Sequence, residues 1–284
     1  MSKNTNLHKA KKEANDEFYT QYEDIAKEIE HYKEHLKGKV VYCNCDIPHF
    51  SNFHKYFLDN FKELELKKLI VTGYVKNGNG KCSIYDGETS TDYDLLGDGD
   101  FRGDECVDML QKADVIITNP PFSLFREFIK VVVENEKDFI IVGSKTAIGY
   151  KEIFELFQNN VISTGYETPN KFFLPDGEIT SVVQDLCRWF TSLPVTKPLL
   201  PMNANYYENS YTKYDNYNAI NIDRVCDIPY NYEQTMGVPI TFMDKYNKNQ
   251  FEIVKFRKGD DGKDLRVDGK DKFHRVLIKR KGVM

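Results

Sequence analysis

One four-residue string has residue types in an order that suits chemistry: Asn119-Pro120-Pro121-Phe122, at the end of the apolar run 114–118. The prolines favour an extended backbone and supply no N–H donors, so nearby carbonyl oxygens are left as acceptors. The side-chain oxygen of Asn119 and the carbonyl oxygen of Pro120 can accept both hydrogens of an exocyclic amino group. Phe122 offers a ring face for stacking, worth about 1–3 kcal/mol per base in nucleic-acid sites. The string predicts an adenine pocket, and its alternative interpretation is an ordinary strand terminator.

Carboxylates follow two further segments of the chain. Asn44 and Asp46 come after the apolar run 39–43, and Asp100 lies in the glycine-containing loop 97–101. Carboxylates suit a cationic, amine-bearing ligand, whereas a phosphate prefers glycine-rich N–H cradles and lysine. The sequence contains neither the P-loop pattern nor the G-x-G-x-x-G dinucleotide pattern. S-adenosylmethionine, with its ammonium, sulfonium and adenine, therefore fits these loops better than ATP or NAD.

The elements that must position these loops alternate in the manner of an α/β protein. Helices are predicted at 17–36, from an N-cap at Ser51 to about 64, and at 104–111, 123–134 and 151–158. Strands are predicted at 39–43, 69–72, 114–118 and 139–142. The second of these strands is followed by a polar stretch, which is predicted to turn at 77–80. After about residue 160 the pattern changes to strands and loops rich in Tyr, Asn and Pro. This order predicts a Rossmann-like, doubly wound, mostly parallel sheet, in which ligands bind at the carboxyl ends of the strands.

Length and composition fit one globular domain over residues 1–284, within which 200–250 is predicted to be a DNA-facing elaboration. No apolar run approaches the roughly 18–20 residues that cross a membrane, and the polar N-terminus is not a secretory signal. The six cysteines are scattered, so we expect a reduced, cytoplasmic protein. No metal is expected: the loop 97–101 lacks the glutamate of a calcium loop, and His49 and His54 are predicted to lie on the surface.

Charge is distributed unevenly along the chain. The net charge is −5, but residues 255–284 contain eleven Lys/Arg and five Asp, so this segment carries +6 and the remainder −11. The segment ends in a strand-like apolar stretch followed by Lys279, Arg280 and Lys281. A local basic stripe is what contacts DNA phosphates, and the alternative is a solvated tail.

Four segments together resemble a known family, the EcoRI-type adenine-specific DNA modification methyltransferases. They are 16–20 (Asp-Glu-Phe-Tyr-Thr), 41–46 (Val-Tyr-Cys-Asn-Cys-Asp), 97–102 (Gly-Asp-Gly-Asp-Phe-Arg) and 118–126 (Thr-Asn-Pro-Pro-Phe-Ser-Leu-Phe-Arg). Segments 189–191, 236–242 and 276–281 look similar too, so the resemblance runs over almost the whole chain. It implies the class I methyltransferase fold, S-adenosylmethionine as the cofactor and double-stranded DNA as the partner. A cognate restriction endonuclease that acts separately is left open.

The resemblance also implies roles for individual residues. Residues expected to contact the cofactor are Phe18, Tyr19, Thr20, Asn44, Asp46, Asp100 and Phe101. Of these, the first three are expected at the methionine end of the cofactor, and Asp46 takes the place of the usual carboxylate after the first strand. Asp100 and Phe101 are expected at the adenine of the cofactor. Residues expected to hold the target adenine are Asn119, Pro120 and Phe122, with Phe172 or Phe173 as a second stacking face. Lys279, Arg280 and Lys281 are expected to contact the DNA.

Two departures from the wider methyltransferase pattern stand out. The first loop is Cys43-Asn-Cys-Asp rather than glycine-rich, and the second strand ends at 71–74 (Val-Thr-Gly-Tyr) without the acidic residue that usually holds the ribose. Asp86, Glu88 and Asp92 are candidate substitutes. The predicted function is site-specific transfer of a methyl group to N6 of a flipped-out DNA adenine. The alternatives are an RNA adenine-N6 or protein glutamine-N5 methyltransferase, or an inactive DNA-binding protein of the same fold.

Overall fold

The computed structural model describes residues 19–169, 172–173, 179–180 and 185–282. Phe18 therefore lies outside the described residues. The chain divides into two compact units: unit 1 is Met1–Ala147 with Ile162–Pro194, and unit 2 is Ile148–Val161 with Val195–Met284. The described helices include none with the length and apolar character needed to cross a membrane.

Unit 1 contains five α-helices and eleven strands among its described residues. The helices are α1 (Tyr22–Glu30), α2 (Lys33–Leu36), α3 (Asn52–Asp59), α4 (Asp104–Lys112) and α5 (Phe125–Glu134). The first seven strands are β1 (Tyr19–Thr20), β2 (Val40–Cys43), β3 (Lys68–Gly73), β4 (Lys81–Tyr85), β5 (Ser90–Asp94), β6 (Val115–Thr118) and β7 (Asp138–Ser144). The remaining four are β8 (Ser163–Thr164), β9 (Phe172–Phe173), β10 (Ile179–Thr180) and β11 (Cys187–Thr191). A 3-10 turn at Phe122–Leu124 leads into α5, and another at Lys145–Gly149 follows β7.

Eight of these strands form one large sheet in the order β5-β4-β3-β2-β6-β7-β11-β8. The four central strands, β3, β2, β6 and β7, are parallel to one another. Only β4 and β11 run opposite to β2 among the described strands, because each is antiparallel to both of its neighbours. The predicted α/β, mostly parallel sheet is therefore confirmed. Because β3 and β6 lie on opposite sides of β2, the strand order reverses there, and such a switch point is where open α/β sheets bind ligands.

The core of unit 1 follows from the apolar runs in the sequence. All four residues of β2 and of β6 are buried, as expected for strands covered on both faces. Ser51 caps α3 by accepting the backbone N–H of Phe53 at 3.0 Å, which confirms the predicted N-cap. The apolar face of α3 and the turn after it is also confirmed as core, since Phe57 and Leu64 are buried.

Three elements of unit 1 differ from their prediction. The helix expected at 17–36 is instead β1, α1 and α2, because the N–H groups of His31 and Tyr32 bond three residues back and interrupt the helix. The excursion after β3 forms the antiparallel hairpin β4–β5, whose second strand is exposed throughout and so carries no apolar alternation. The helix expected from residue 123 starts with the 3-10 turn, and its α-helical part begins at Phe125.

Unit 2 is built around a smaller sheet. It contains α6 (Lys151–Gln158), β12 (Ile220–Asn221), β13 (Met236–Pro239), β14 (Phe251–Phe256), β15 (Arg266–Val267), β16 (Lys270–Asp271) and β17 (Arg275–Arg280). The sheet order is β12-β13-β17-β14, and β15 and β16 form a separate hairpin. One core cluster comprises Tyr214, Ala219, Leu265, Val267 and Leu277. Residues 200–250 lie in this unit, and their DNA-facing role stays a prediction.

The last part of the basic segment, Arg275–Arg280, is strand β17 rather than a solvated tail, and Lys281 follows the strand directly. The strand pairs antiparallel with β13 on one side and with β14 on the other. Lys279 and Lys281 are exposed, whereas Arg280 is half-buried opposite Phe251. Of the three basic residues predicted to contact DNA, two are therefore exposed to solvent, Lys279 in the strand and Lys281 directly after it.

Candidate active site

A cavity of about 330 Å³ lies in unit 1. Its lining comes from β1, from the loop after β2, from the start of α3, from Tyr74 after β3, from residues 98–102 after β5 and from the turn after β6. It therefore lies at the carboxyl ends of the strands around the switch point, where the sequence predicted the ligand site. The volume falls in the range of small-molecule sites.

Asp46 is the most deeply buried carboxylate of the cavity lining, with 5% of its surface exposed. Thr118 at the end of β6 donates its hydroxyl to one carboxylate oxygen, and Ser51 donates to the other, both at 2.5 Å. The backbone N–H of Asp46 also bonds the carbonyl of Thr72 at the end of β3. Asp46 is thus fixed by side chains and backbone from three different elements.

The loop 97–102 approaches β3 closely. Gly99 has φ +86°, and a Cβ there would lie 2.4 Å from the carbonyl oxygen of Gly73, so only glycine fits. The backbone N–H of Val75 bonds the carbonyl of Asp98, which ties this loop to the end of β3. The loop is thus held against the sheet by its backbone, leaving Asp98 and Asp100 to face the cavity.

Asp100 is held by Arg102 in a two-point ion pair. Arg102 donates Nε to one oxygen at 2.9 Å and Nη2 to the other at 2.6 Å. This guanidinium keeps the pKa of Asp100 below its usual value, so the carboxylate is ionised at neutral pH. Arg102 also donates Nη1 to Glu127 in the first turn of α5 at 2.7 Å, which links the acidic loop to the helix after the Asn-Pro-Pro-Phe turn.

The turn after β6 brings Asn119 into the same cavity. Asn119, Pro121 and Leu124 line it, while Pro120 is buried and Phe122 is half-buried. Neither Pro120 nor Phe122 is among the lining residues of the described chain. Asn119 directly follows Thr118, whose hydroxyl bonds Asp46, so the turn and the first loop are joined by one side chain.

Buried polar atoms of the lining that have no hydrogen-bond partner among the described residues include the side-chain oxygen of Asn44 and the hydroxyl of Thr20. Leaving such groups unsatisfied costs free energy, on the order of 1–3 kcal/mol each, unless a ligand bonds them. Asn52 fixes Thr20 in place by donating to its backbone carbonyl at 2.9 Å. These atoms, with the two carboxylates, fit a polar, positively charged ligand.

Some of the residues predicted to bind the cofactor or the target adenine line the cavity, and others do not. Those that line the cavity are Thr20, Asn44, Asp46, Asp100, Phe101 and Asn119. Tyr19 and Thr20 in β1 pair with Phe173 and Phe172 in β9, which brings that predicted stacking segment beside β1. Lys279, Arg280 and Lys281 belong to unit 2. All of these roles stay predictions.

Sequence reasoning missed several lining residues, namely Ile47, Asn52, Tyr74, Arg102 and Leu124. Tyr74 follows the second strand, where a ribose-binding side chain was sought, and its position after a buried strand was the signal that could have identified it. By contrast, Asp86 accepts the N–H groups of Glu88 and Thr89 within the β4–β5 turn. Asp92 bonds His49, and neither Asp86 nor Asp92 lines the cavity.

The surface prediction was wrong for His54. Its side chain is buried, with 2% exposed, because it lies on the inner side of the first turn of α3. Burial lowers the pKa of His54 to about 4, so its imidazole is neutral at physiological pH.

Comparison with known families shows which protein family the chain belongs to. A family model described as the adenine-specific methyltransferase EcoRI matches residues 6–95 and 75–282. The chain belongs to this family. It is therefore a methyltransferase specific for adenine, and the predicted family and enzyme class are confirmed.

Curated relatives agree with this assignment. The type II methyltransferase M.EcoRI of Escherichia coli is 44% identical, with 97% of this chain and 96% of the relative covered. The type II methyltransferases M.MgeORF184P of Mycoplasma genitalium and M.MpnI of Mycoplasma pneumoniae are each 33% identical. Those alignments cover 98% and 97% of this chain and 99% and 98% of the relatives, respectively. No solved structure gives a significant match.

Proposed function

We propose that the cavity of unit 1 binds S-adenosylmethionine and that the enzyme methylates N6 of adenine in double-stranded DNA. The observation that carries this proposal is that Asn119 shares one cavity with the carboxylates of Asp46 and Asp100. An amide acceptor for an amino group thus lies beside acceptors for a cationic cofactor. The cofactor would supply an electrophilic methyl group on its sulfonium.

The lining suits this cofactor residue by residue. The buried carboxylate of Asp46 offers charge-assisted hydrogen bonds to the ammonium or to hydroxyl groups. The ionised carboxylate of Asp100 accepts from the adenine amino group, and Phe101 supplies apolar surface at the same loop. The unsatisfied oxygens of Asn44 and Thr20 gain partners when a polar ligand enters.

Asn119 and the Pro120 carbonyl act on the target base. By accepting both hydrogens of the amino group, they favour a tetrahedral nitrogen whose lone pair points at the methyl group. Holding the two reactants in attack geometry lowers the barrier by up to several kcal/mol. The methylated nitrogen then loses a proton to water. The target base must leave the duplex, at a cost of a few kcal/mol, and stacking on Phe122 and on Phe172 or Phe173 offsets part of that cost.

DNA is the proposed substrate because the curated relatives are named type II methyltransferases. Exposed Lys279 in β17 and exposed Lys281 directly after this strand are proposed to contact its phosphates, with half-buried Arg280 between them. The proposal leaves room for a separately acting restriction endonuclease of the same site specificity.

The test is a methyl-transfer assay with three acceptors. The purified enzyme is incubated with methyl-labelled S-adenosylmethionine and with duplex DNA, single-stranded RNA or a glutamine-containing peptide. We expect N6-methyladenine, identified by mass spectrometry of nucleoside digests, from duplex DNA alone. Label in RNA or in glutamine but not in DNA would replace the proposed substrate, and binding of the cofactor without any transfer would refute the proposed reaction.

A further inference from the structure

The first loop of the cavity takes a left-handed backbone turn without a glycine. Residues 44–47, 51 and 52 all line the cavity, so this loop and the start of α3 form one wall of it. Within it, His49 has φ +63°, a conformation that is costly for a residue with a Cβ. A non-glycine residue stays in that region only when its surroundings hold it there.

Two side chains hold His49 in this conformation. The buried imidazole of His54 accepts the backbone N–H of His49 through Nδ1 at 2.7 Å. The side chain of His49 bonds Asp92 on β5 through Nε2 at 3.0 Å. The neutral His54 ring must therefore carry its proton on Nε2, since Nδ1 is the acceptor.

Ile47 ties the rest of the loop to the start of α3 and to the end of β3. The backbone N–H groups of Phe50 and Ser51 both bond the carbonyl of Ile47. On the other side, a Cβ on Gly73 would lie 2.7 Å from the Cα of Ile47, so the loop already touches the end of β3. The turn at His49 thus lies in the same hydrogen-bonded loop as Asp46 and Ser51, which are joined by a 2.5 Å hydrogen bond.

We propose that His54 and His49 are positioning residues of the cofactor site. His54, by accepting the His49 N–H, and His49, by bonding Asp92, together hold the loop in the form that presents Asp46 and Ser51 to the cavity. This inference rests on the proposed function, because it assumes that S-adenosylmethionine occupies this cavity. It explains how a loop without glycine supplies the backbone turn that glycine would otherwise provide.

Protonation supports the same arrangement. The pKa of His54 is lowered to about 4, first by burial and also by His49, while Asp92 acts in the opposite direction. Nδ1 therefore remains an acceptor throughout the physiological pH range. A protonated ring would place an N–H donor against the N–H of His49.

The experiment compares substitutions that keep or remove each function of the two residues. His54→Asn retains an acceptor oxygen close to the position of Nδ1, whereas His54→Leu fills similar space without an acceptor. His49→Gly removes the Asp92 bond and the backbone strain, whereas His49→Ala removes the bond and keeps the strain. Binding of S-adenosylmethionine is measured by calorimetry, and kcat is measured at saturating cofactor.

We expect His54→Leu to weaken cofactor binding at least tenfold while kcat at saturation changes less than threefold. His54→Asn is expected to stay within about threefold of wild type, and His49→Gly to bind the cofactor more tightly than His49→Ala. Hydrogen exchange of the His49 amide should accelerate in His54→Leu and not in His54→Asn. If His54→Leu does not fold, wild-type affinity in both His49→Ala and His49→Gly overturns the inference by itself.

The matched control is Glu136→Gly. Glu136 is also a non-glycine residue with a left-handed φ, of +53°, but it lies between α5 and β7, next to the amino end of β7. This change should leave cofactor affinity unchanged. Wild-type affinity in both His54→Leu and His49→Ala would overturn the inference alone, whereas a wild-type enzyme that binds no S-adenosylmethionine would overturn the proposed cofactor and the inference with it.

Discussion

At the scale of single residues, the cavity separates two tasks between neighbouring side chains. Asp46 is fixed by hydroxyl donors from Ser51 and Thr118, whereas Asn119 belongs to a turn that the prolines keep rigid. The carboxylate matters for binding a cation, and the amide matters as charge develops on the reacting nitrogen. Substitutions at the two positions should therefore have different kinetic signatures.

Asn119→Ala should lower turnover by about 10²–10³-fold, the range found when one preorganised transition-state hydrogen bond is removed. Cofactor affinity should barely change, because other loops bind the cofactor. Asn119→Asp still accepts hydrogen bonds and should retain more activity than Asn119→Ala. Single-turnover methylation of duplex DNA measures the first effect and calorimetry the second. Methylation by Asn119→Ala at the wild-type rate would show that this turn is not the catalytic site.

Asp46→Ala should instead weaken S-adenosylmethionine binding severely, by roughly tenfold or more, because it removes a charge-assisted hydrogen bond from a buried site. The change also leaves Ser51 and Thr118 without their shared acceptor. Asp108→Ala is the matched control, since Asp108 is an exposed carboxylate on α4. Equal affinities for Asp46→Ala, Asp108→Ala and wild type by calorimetry would remove Asp46 from the site.

At the scale of elements, pairing of strand β17 with its neighbours fixes where the basic side chains at its end lie. The apolar residues of β17 are buried between β13 and β14, so Lys279 is held at a defined position on the sheet. Lys281 directly after the strand is held by its backbone N–H, which bonds the carbonyl of Gln250 at 2.9 Å. Other basic residues of the segment are in ion pairs, such as Arg257 with Asp264 and Arg275 with Asp223. Lys279 and Lys281 are consequently better placed than those arginines to contact phosphates.

Replacing Lys279 and Lys281 together with Ala should weaken binding to all DNA sequences alike. It should also flatten the dependence of log affinity on log salt concentration, by about 0.9 for each phosphate that the variant no longer neutralises. The matched control replaces Lys62 and Lys67, two exposed lysines in the segment that precedes β3, with the same change in net charge. Fluorescence anisotropy at several salt concentrations gives both slopes. Identical slopes for the two double variants would mean that β17 does not touch DNA.

At the scale of the whole molecule, two buried titratable groups of unit 1 act on stability in opposite directions. The lowered pKa of His54 means that the unfolded chain binds more protons between about pH 4 and 6.5, so His54 lowers stability as the pH falls through that window. Glu28 is fully buried, and burial raises the pKa of its carboxyl above 4.5. The contribution of Glu28 to the free energy of unfolding is therefore lost as the pH rises through this raised pKa.

The difference between wild type and His54→Asn isolates the histidine, because Glu28 is the same in both. Lowering the pH from 7.5 to 5 should reduce the free energy of unfolding of wild type by about 2 kcal/mol more than that of the variant. Trp189 is the sole tryptophan and is buried in β11, so its fluorescence during urea unfolding reports on unit 1. A pH dependence that is the same in both proteins would contradict a neutral, buried His54.

Much of the framework was predictable because it depends on local pattern. The prediction of α6 at 151–158 matches the structure, and those of β2 and β6 are within one residue, since their apolar spacing and flanking polar residues are unambiguous. The hairpin β4–β5 escaped prediction because its second strand is polar and exposed. The break between α1 and α2 escaped it too, because the buried carboxylate of Glu28 binds Tyr32 and the distant N–H groups of Tyr166 and Glu167.

The order of apolar runs along the chain was enough to predict which loops meet, since the carboxyl ends of parallel strands share one edge. That reasoning placed Asp46, Asp100 and Asn119 together. How those groups are held became visible only in the folded molecule. Thr118 bonds Asp46 across 72 positions of sequence, and the imidazole of His54 supports a left-handed turn at His49. Such contacts depend on strand order, register and burial, which single-residue preferences do not encode. Local pattern therefore predicted the members of the site, and packing between distant segments set their geometry.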